Sequence, residues 1–238
     1  MKPTDPRNLL TSLVLVFPLF FIYQFGVLFT LPVLNGADFL TVFLFRHLHL
    51  NASAYLIYTG VVALAFAIAV AVLRRRQRFD PKMAIPVLIE SAIYALTMGS
   101  LIVFVMTKAF GISPRLAGGA ADSFVSQQGF GTRFVMSLGA GVYEEAVFRL
   151  GIMTGVALLL EKVLGLGRWV AVTVALLVSA LLFSAMHHIP PYGDPLHLGI
   201  FTFRALAGIC FGLIYWYRGF AVAVYTHALY DIYVLVLR

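Results

Sequence analysis

Seven apolar runs, near residues 9–31, 54–73, 83–106, 134–160, 168–188, 198–217 and 219–237, leave this chain little choice of fold. Each is close to the roughly 20 apolar residues that a helix needs to cross a bilayer. The expected fold is therefore all-α, a polytopic transmembrane bundle of about seven to eight spans. Composition agrees with that reading. Apolar residues make up 61% of the chain and charged residues only 11%, against roughly 25% charged in soluble domains. The mean hydropathy is +0.95.

The connectors carry the topology signals. The first run follows Lys2 and Arg7 and is too long for a signal-peptide core, so it reads as a retained anchor. Between the first two runs, 35–51 combines an apolar stretch with Arg46, His47 and His49, which suits an interfacial or re-entrant helix. The segment 74-RRRQRFDPK-82 is the sharpest break. Placing it in the cytoplasm puts ten Lys and Arg residues inside and five outside, the bias that positive-inside sorting produces. The stretch 111–133, with Pro114, reads as a loop that could lie over a site. The chain divides into amino-terminal membrane helices and connectors (1–133) and a core of helices (134–238), one integral membrane unit. Small residues four apart, Gly151/Gly155 and Gly208/Gly212, are expected to serve internal helix packing. A single cysteine, Cys210, rules out an intrachain disulfide framework. The net charge of +7 lies in short connectors, with no basic, aromatic-interleaved stripe that would suit nucleic acid.

Ionised groups are out of place at membrane depth, where even lenient scales assign about 2.5–3.5 kcal/mol to one Asp, Lys or Arg. Yet Glu144, Glu145 and Arg149 fall within six residues of one apolar run. Helical spacing sorts them. Glu145 and Arg149 are four apart and should pair, which makes Glu145 structural. Glu144 points about 100° away on an α-helix and is left available. His227 and Asp231 are also four apart, so Asp231 can accept from one imidazole nitrogen and orient the other. Phe183 and His187 share that spacing. Glu90 reads as an ordinary helix–helix hydrogen bond, and Arg204 as a group that snorkels or pairs with an acid. His188 and His197 are expected to face water, and His47 and His49 have no assigned role.

The three motifs EExxxR (Glu144, Glu145, Arg149), FxxxH (Phe183, His187) and HxxxN/D (His227, Asp231) occur in order over 134–238. In this they resemble the CAAX-prenyl protease and bacteriocin-processing (CPBP, abortive-infection) family of intramembrane proteases. The resemblance implies a glutamate-type endopeptidase. Glu144 and His187 would activate a water, while His227 and Asp231 would steady the oxyanion, with Glu145, Arg149 and Phe183 as structural support. Peptide hydrolysis needs such a base beside a water and donors where charge develops. Asp231 departs from the Asn found in many relatives, and an ionised Asp cannot donate. Orienting and charging His227 is its expected work.

Glu144, His187 and His227 would also form a carboxylate–imidazole set suited to zinc, if a metal is held. HExxH is absent, and the resemblance favours a metal-free hydrolase without cofactor. The expected partner is a membrane-anchored protein or peptide, in a lipid bilayer. The expected location is the inner or plasma membrane of a prokaryote, with the active site facing outward. The stretches 17–29 and 35–38, with 226–234, resemble myxosortase-like branches that process C-terminal sorting tags; a CAAX-like tail is the other substrate reading. Two competing functions remain: a non-enzymatic scaffold or interaction protein of the same fold, and a proton-coupled transporter. The sequence shows no repeat symmetry to favour the transporter.

Overall fold

The computed structural model describes residues 8–31, 33–35, 37–38, 41–42, 52–112, 125–189 and 195–237. The helices are α1 (Leu9–Thr30), α2 (Ala52–Leu73), α3 (Ala84–Ala109), α4 (Phe130–Gly139), α5 (Thr154–Leu158), α6 (Arg168–Met186), α7 (Leu198–Arg218) and α8 (Phe220–Asp231). The described residues contain no strand, and the protein is an all-α polytopic bundle. Most of the expected interfacial helix, including Arg46, His47 and His49, and the middle of the 111–133 loop lie outside the described residues.

Five helices are long and apolar enough to cross a bilayer: Leu9–Thr30, Ser53–Leu73, Pro81–Ala109, Arg168–Met186 and Leu198–Arg218. The two other expected spans take different forms. One is a continuous rod, 130–163, in which α4 and α5 alternate with π-helical segments at Ala140–Glu144, Ala146–Met153 and Leu159–Val163. The other is the short apolar helix Phe220–Val236, whose last turns are again π-helical.

One connection is a single glycine, Gly219. It alone separates α7 from α8, at φ 90° and ψ 178°, a conformation that is essentially restricted to glycine. Contacts between chain-distant residues tie the ends together. Asn8 donates to the Arg78 carbonyl at 3.2 Å, and Leu10 N–H to Gln77 Oε1 at 2.9 Å. The Ala221 N–H, at the start of α8, donates to Ser12 Oγ at 3.3 Å. At that same end Arg218 forms a two-pronged ion pair with Glu90, Nη2 to Oε2 at 2.8 Å, and Tyr94 donates to the same carboxylate. Glu90 thus makes the helix–helix hydrogen bond expected of it, and its partner is the arginine that ends α7.

The helix at the centre is α8. It packs on α1, α3, α4, α7 and the first π segment, and Phe220–Val224 and Thr226–Ala228 are all buried. A helix apolar on every side belongs inside a bundle. Close approach is built in by glycine. A Cβ on Gly141 would stand 2.7–2.9 Å from Ala228 Cβ, the Val224 carbonyl and the Ala228 nitrogen. On the other flank, Gly208 lies against the Ala180 backbone and Gly212 against Leu176, so this pair serves internal packing as expected. Gly151 and Gly155 do not. Both are exposed on the outside of the bundle, and a Cβ on Gly155 would meet nothing within 4 Å.

Candidate active site

The π-helical turns decide where the acidic motif points. A turn closed by i→i+5 bonds rotates less per residue than an α-turn, so neighbouring side chains diverge by less than the expected 100°. Both glutamates stay inside as a result: Glu145 is fully buried and Glu144 nearly so. Single π-turns inside helices are frequent at functional sites. Here they surround the motif on both sides.

Glu145 stands at a junction. Its Oε2 lies 3.2 Å from Arg149 Nε, the expected pair, and its Oε1 lies 2.8 Å from His227 Nδ1. Arg149, also fully buried, has few other partners: its Nη2 donates to the Gly208 carbonyl at 3.3 Å, and its guanidinium lies over the Phe183 ring at 4.6 Å and the Phe211 ring at 5.4 Å. Phe183 therefore does more than space His187. It forms part of the apolar floor beneath the arginine.

Glu144 divides its oxygens. Oε1 accepts from Asn35 Nδ2 at 3.1 Å. Oε2 faces two imidazoles, at 3.6 Å from His187 Nε2 and 3.8 Å from His227 Nε2. The far nitrogen of His187 is 2.7 Å from the Phe183 carbonyl. A carbonyl only accepts, so the proton sits on Nδ1 and the Nε2 of the neutral ring is a lone pair turned toward Glu144.

His227 is held on three sides. Its ring stacks on Phe211 at 4.3 Å and 18°, Nδ1 meets Glu145, and Nε2 faces both Glu144 and Asp231, the latter at 3.7 Å. This differs from the expected arrangement. Asp231 does not take one nitrogen and free the other; it shares Nε2 with Glu144, and the close contact that fixes the ring comes from Glu145. Arg204 of α7 lies within electrostatic reach of Glu144, His187 and Asp231.

Residues from four parts of the chain thus meet: Asn35, the π-helical motif, the end of α6 and the middle of α8. Asn35 was not among the residues singled out for a role. Its stretch, Asn-Gly-Ala-Asp at 35–38, entered only as part of a resemblance to myxosortase-like branches, without a site role. Among the described residues, no group of three His, Cys, Asp or Glu side chains is arranged to hold a metal ion.

Comparison with known proteins bears on this geometry. Residues 127–233 match the family model described as type II CAAX prenyl endopeptidase, Rce1-like. None of the curated proteins and none of the solved structures matches the chain significantly. The matched segment contains all three motifs and leaves α1 to α3, with Asn35, outside it.

Proposed function

We propose that this integral membrane protein, whose residues 127–233 belong to the Rce1-like family of CAAX-type endopeptidases, is a peptidase that hydrolyses a membrane-tethered protein near its lipid-embedded end. The observation that carries the reading is Glu144 Oε2, buried in an apolar bundle and facing the Nε2 atoms of His187 and His227 at 3.6 and 3.8 Å.

Two acceptors at the His187 separation are suited to share the hydrogens of one water. In the proposed cycle Glu144 takes a proton from that water as its oxygen adds to the scissile carbonyl. Negative charge develops on the former carbonyl oxygen. His227, with Nδ1–H held by Glu145, supplies Nε2–H to that oxyanion when the ring carries both protons. Asp231 favours that form by its charge at 3.7 Å. Glu144 then returns its proton to the leaving amine, and the tetrahedral intermediate collapses to acid and amine. Arg149 takes no part in this; it balances Glu145. The three motif residues expected to be supportive, Glu145, Arg149 and Phe183, are assigned that work here, with Glu145 also orienting His227.

No step in this scheme needs a metal. The substrate reading keeps two branches, a CAAX-like tail and a C-terminal sorting tag. The test is hydrolysis by the purified full chain in liposomes, given a prenylated CAAX peptide and a single-span protein with a C-terminal tag. Glu144→Gln should abolish cleavage of whichever is cut. Undiminished cleavage by Glu144→Gln would remove the glutamate from the mechanism. Proton-dependent uptake without cleavage would favour the transporter.

A further inference from the structure

Glu144 meets only one side chain from the chain's amino-terminal part at hydrogen-bond distance among the described contacts, and that residue is itself locked. Asn35 Oδ1 accepts from the Ala37 N–H at 2.8 Å, and only an oxygen can accept there. The amide therefore cannot turn over, and its Nδ2 is committed to Glu144 Oε1 at 3.1 Å. Asn35 is buried.

The segment that presents Asn35 is anchored as well. The Asp38 N–H donates to the Asn35 carbonyl at 3.2 Å, and the Asp38 carboxylate accepts from the Tyr23 hydroxyl and the Thr41 N–H, each at 3.2 Å. Tyr23 packs on Tyr143, ring centroids 5.2 Å apart, immediately before Glu144 in the chain. The same Tyr23 ring fills the space beside Gly139, where a Cβ would come within 2.2 Å of it. Two routes, one polar and one aromatic, thus register Asn35 and Asp38 on the π-helical motif.

Resting on the catalytic reading above, we infer that Asn35 is a positioning residue for Glu144. It holds Oε1 as a permanent acceptor, so that any proton Glu144 carries sits on Oε2, the oxygen that faces His187 and His227. A carboxylate free to rotate would present either oxygen, and the proton could be left on the wrong side of the group. Displacements of about 1 Å in a catalytic group can cost on the order of 100-fold in rate. The amino-terminal segment, outside the family match, therefore completes the site.

Asn35→Asp separates this from a merely structural role. The introduced carboxyl keeps the size and still accepts from Ala37 N–H, so the turn survives, but it has no N–H to give Glu144. Two carboxylates in contact cannot both ionise. We expect kcat in liposomes to fall about 100-fold near neutral pH with KM little changed. The pair therefore shares one proton near neutral pH, so the acid limb of the pH–rate profile should move to higher pH and activity should recover toward alkaline pH, where that proton is lost. Asn35→Ser, whose shorter hydroxyl can keep the turn but not reach Glu144, should lose kcat comparably at normal membrane abundance, and it serves if Asn35→Asp does not accumulate. Near-wild-type kcat in either variant overturns the inference. So does a loss that tracks abundance with an unchanged pH–rate profile. Glu144→Gln, run beside them, keeps the two claims apart: full activity there would sink the catalytic reading itself, whereas a dead Glu144→Gln with an active Asn35→Asp sinks only the role of Asn35.

Discussion

Glu145→Gln perturbs two partners at once, and the structure allows the cost to be worked through. The wild-type carboxylate serves Arg149 Nε at 3.2 Å with one oxygen and His227 Nδ1 at 2.8 Å with the other. A glutamine has one acceptor and one donor end. If its oxygen faces Arg149, its NH2 faces His227 Nδ1 and forces the ring into the opposite tautomer; if it turns over, an N–H points at a guanidinium. Removing one partner of a buried ion pair costs about 3–5 kcal/mol. The Phe183 and Phe211 rings lie under the guanidinium in wild type and variant alike, so their cation–π contribution cancels. The loss expected is about 3–5 kcal/mol, a large share of the roughly 5–15 kcal/mol that holds a typical protein folded. Thermal unfolding in detergent micelles should register it as a lower Tm. The companion variant Glu145→Gln/Arg149→Met removes the stranded charge and should regain most of that stability, because apolar replacement of a whole buried pair is often neutral or better. It should not regain activity, since His227 Nδ1 still lacks its carboxylate. If the double variant is as active as wild type, Glu145 does not orient His227. If the single variant melts like wild type, the pair does not matter to the fold.

Other expectations follow from single contacts. Glu144→Gln should reduce cleavage at least 10²-fold, the scale of a lost general base, with an unchanged melting curve. Gly141→Ala must push α8 away from the π-helical motif, because the new Cβ would meet backbone atoms 2.8–2.9 Å away; a cost of about 1–3 kcal/mol and a fall in kcat are expected together. Gly155→Ala, with open space at a position inside α5, should raise Tm slightly, by a stabilisation of about 0.5–1 kcal/mol. In the connector outside the spans, burial pushes the Asp38 carboxyl up to about 6. A folded-state value above the unfolded one means that the folded chain binds the proton more tightly, so this group's contribution falls as pH rises from about 4 through 6. Asp38→Asn should flatten stability over that window in pH-dependent unfolding, and an unchanged slope would refute the assignment.

The bundle was legible because lipid imposes a length rule on apolar runs, and the rule holds for α1, α2, α3, α6 and α7. The rod 130–163 could be recognised as helical but not as π-helical. Nothing in Ala-Gly-Val-Tyr-Glu-Glu marks the wider π turn. The local deduction about the two acids still holds in its contacts: Glu145 meets Arg149, while Glu144 meets Asn35, His187 and His227. Pairs four apart, Glu145 with Arg149 and His227 with Asp231, could be proposed as neighbours because spacing is local information. The shorter contact of His227 to Glu145 spans 82 positions, and that of Asn35 to Glu144 spans 109. Neither has a local trace. Gly151/Gly155 and Gly208/Gly212 carry the same spacing, yet only the second pair meets a neighbouring helix, because a small-residue stripe specifies how near a neighbour can come and not whether one is present.

The burial of α8 makes assembly a condition of chemistry. A 17-residue apolar helix, Phe220–Val236, is shorter than the roughly 20 residues that span a bilayer comfortably, and its His227 and Asp231 are unwelcome in hydrocarbon. It finds a satisfactory environment only in the slot bounded by α1, α3, α4 and α7, so those helices must already be in place before it can settle. Until then His227 lacks the carboxylate of Glu145 and Glu144 faces one imidazole instead of two. A hydrolase built this way stays silent while it is being made, and its own unfinished chain and the neighbours it is inserted beside are spared.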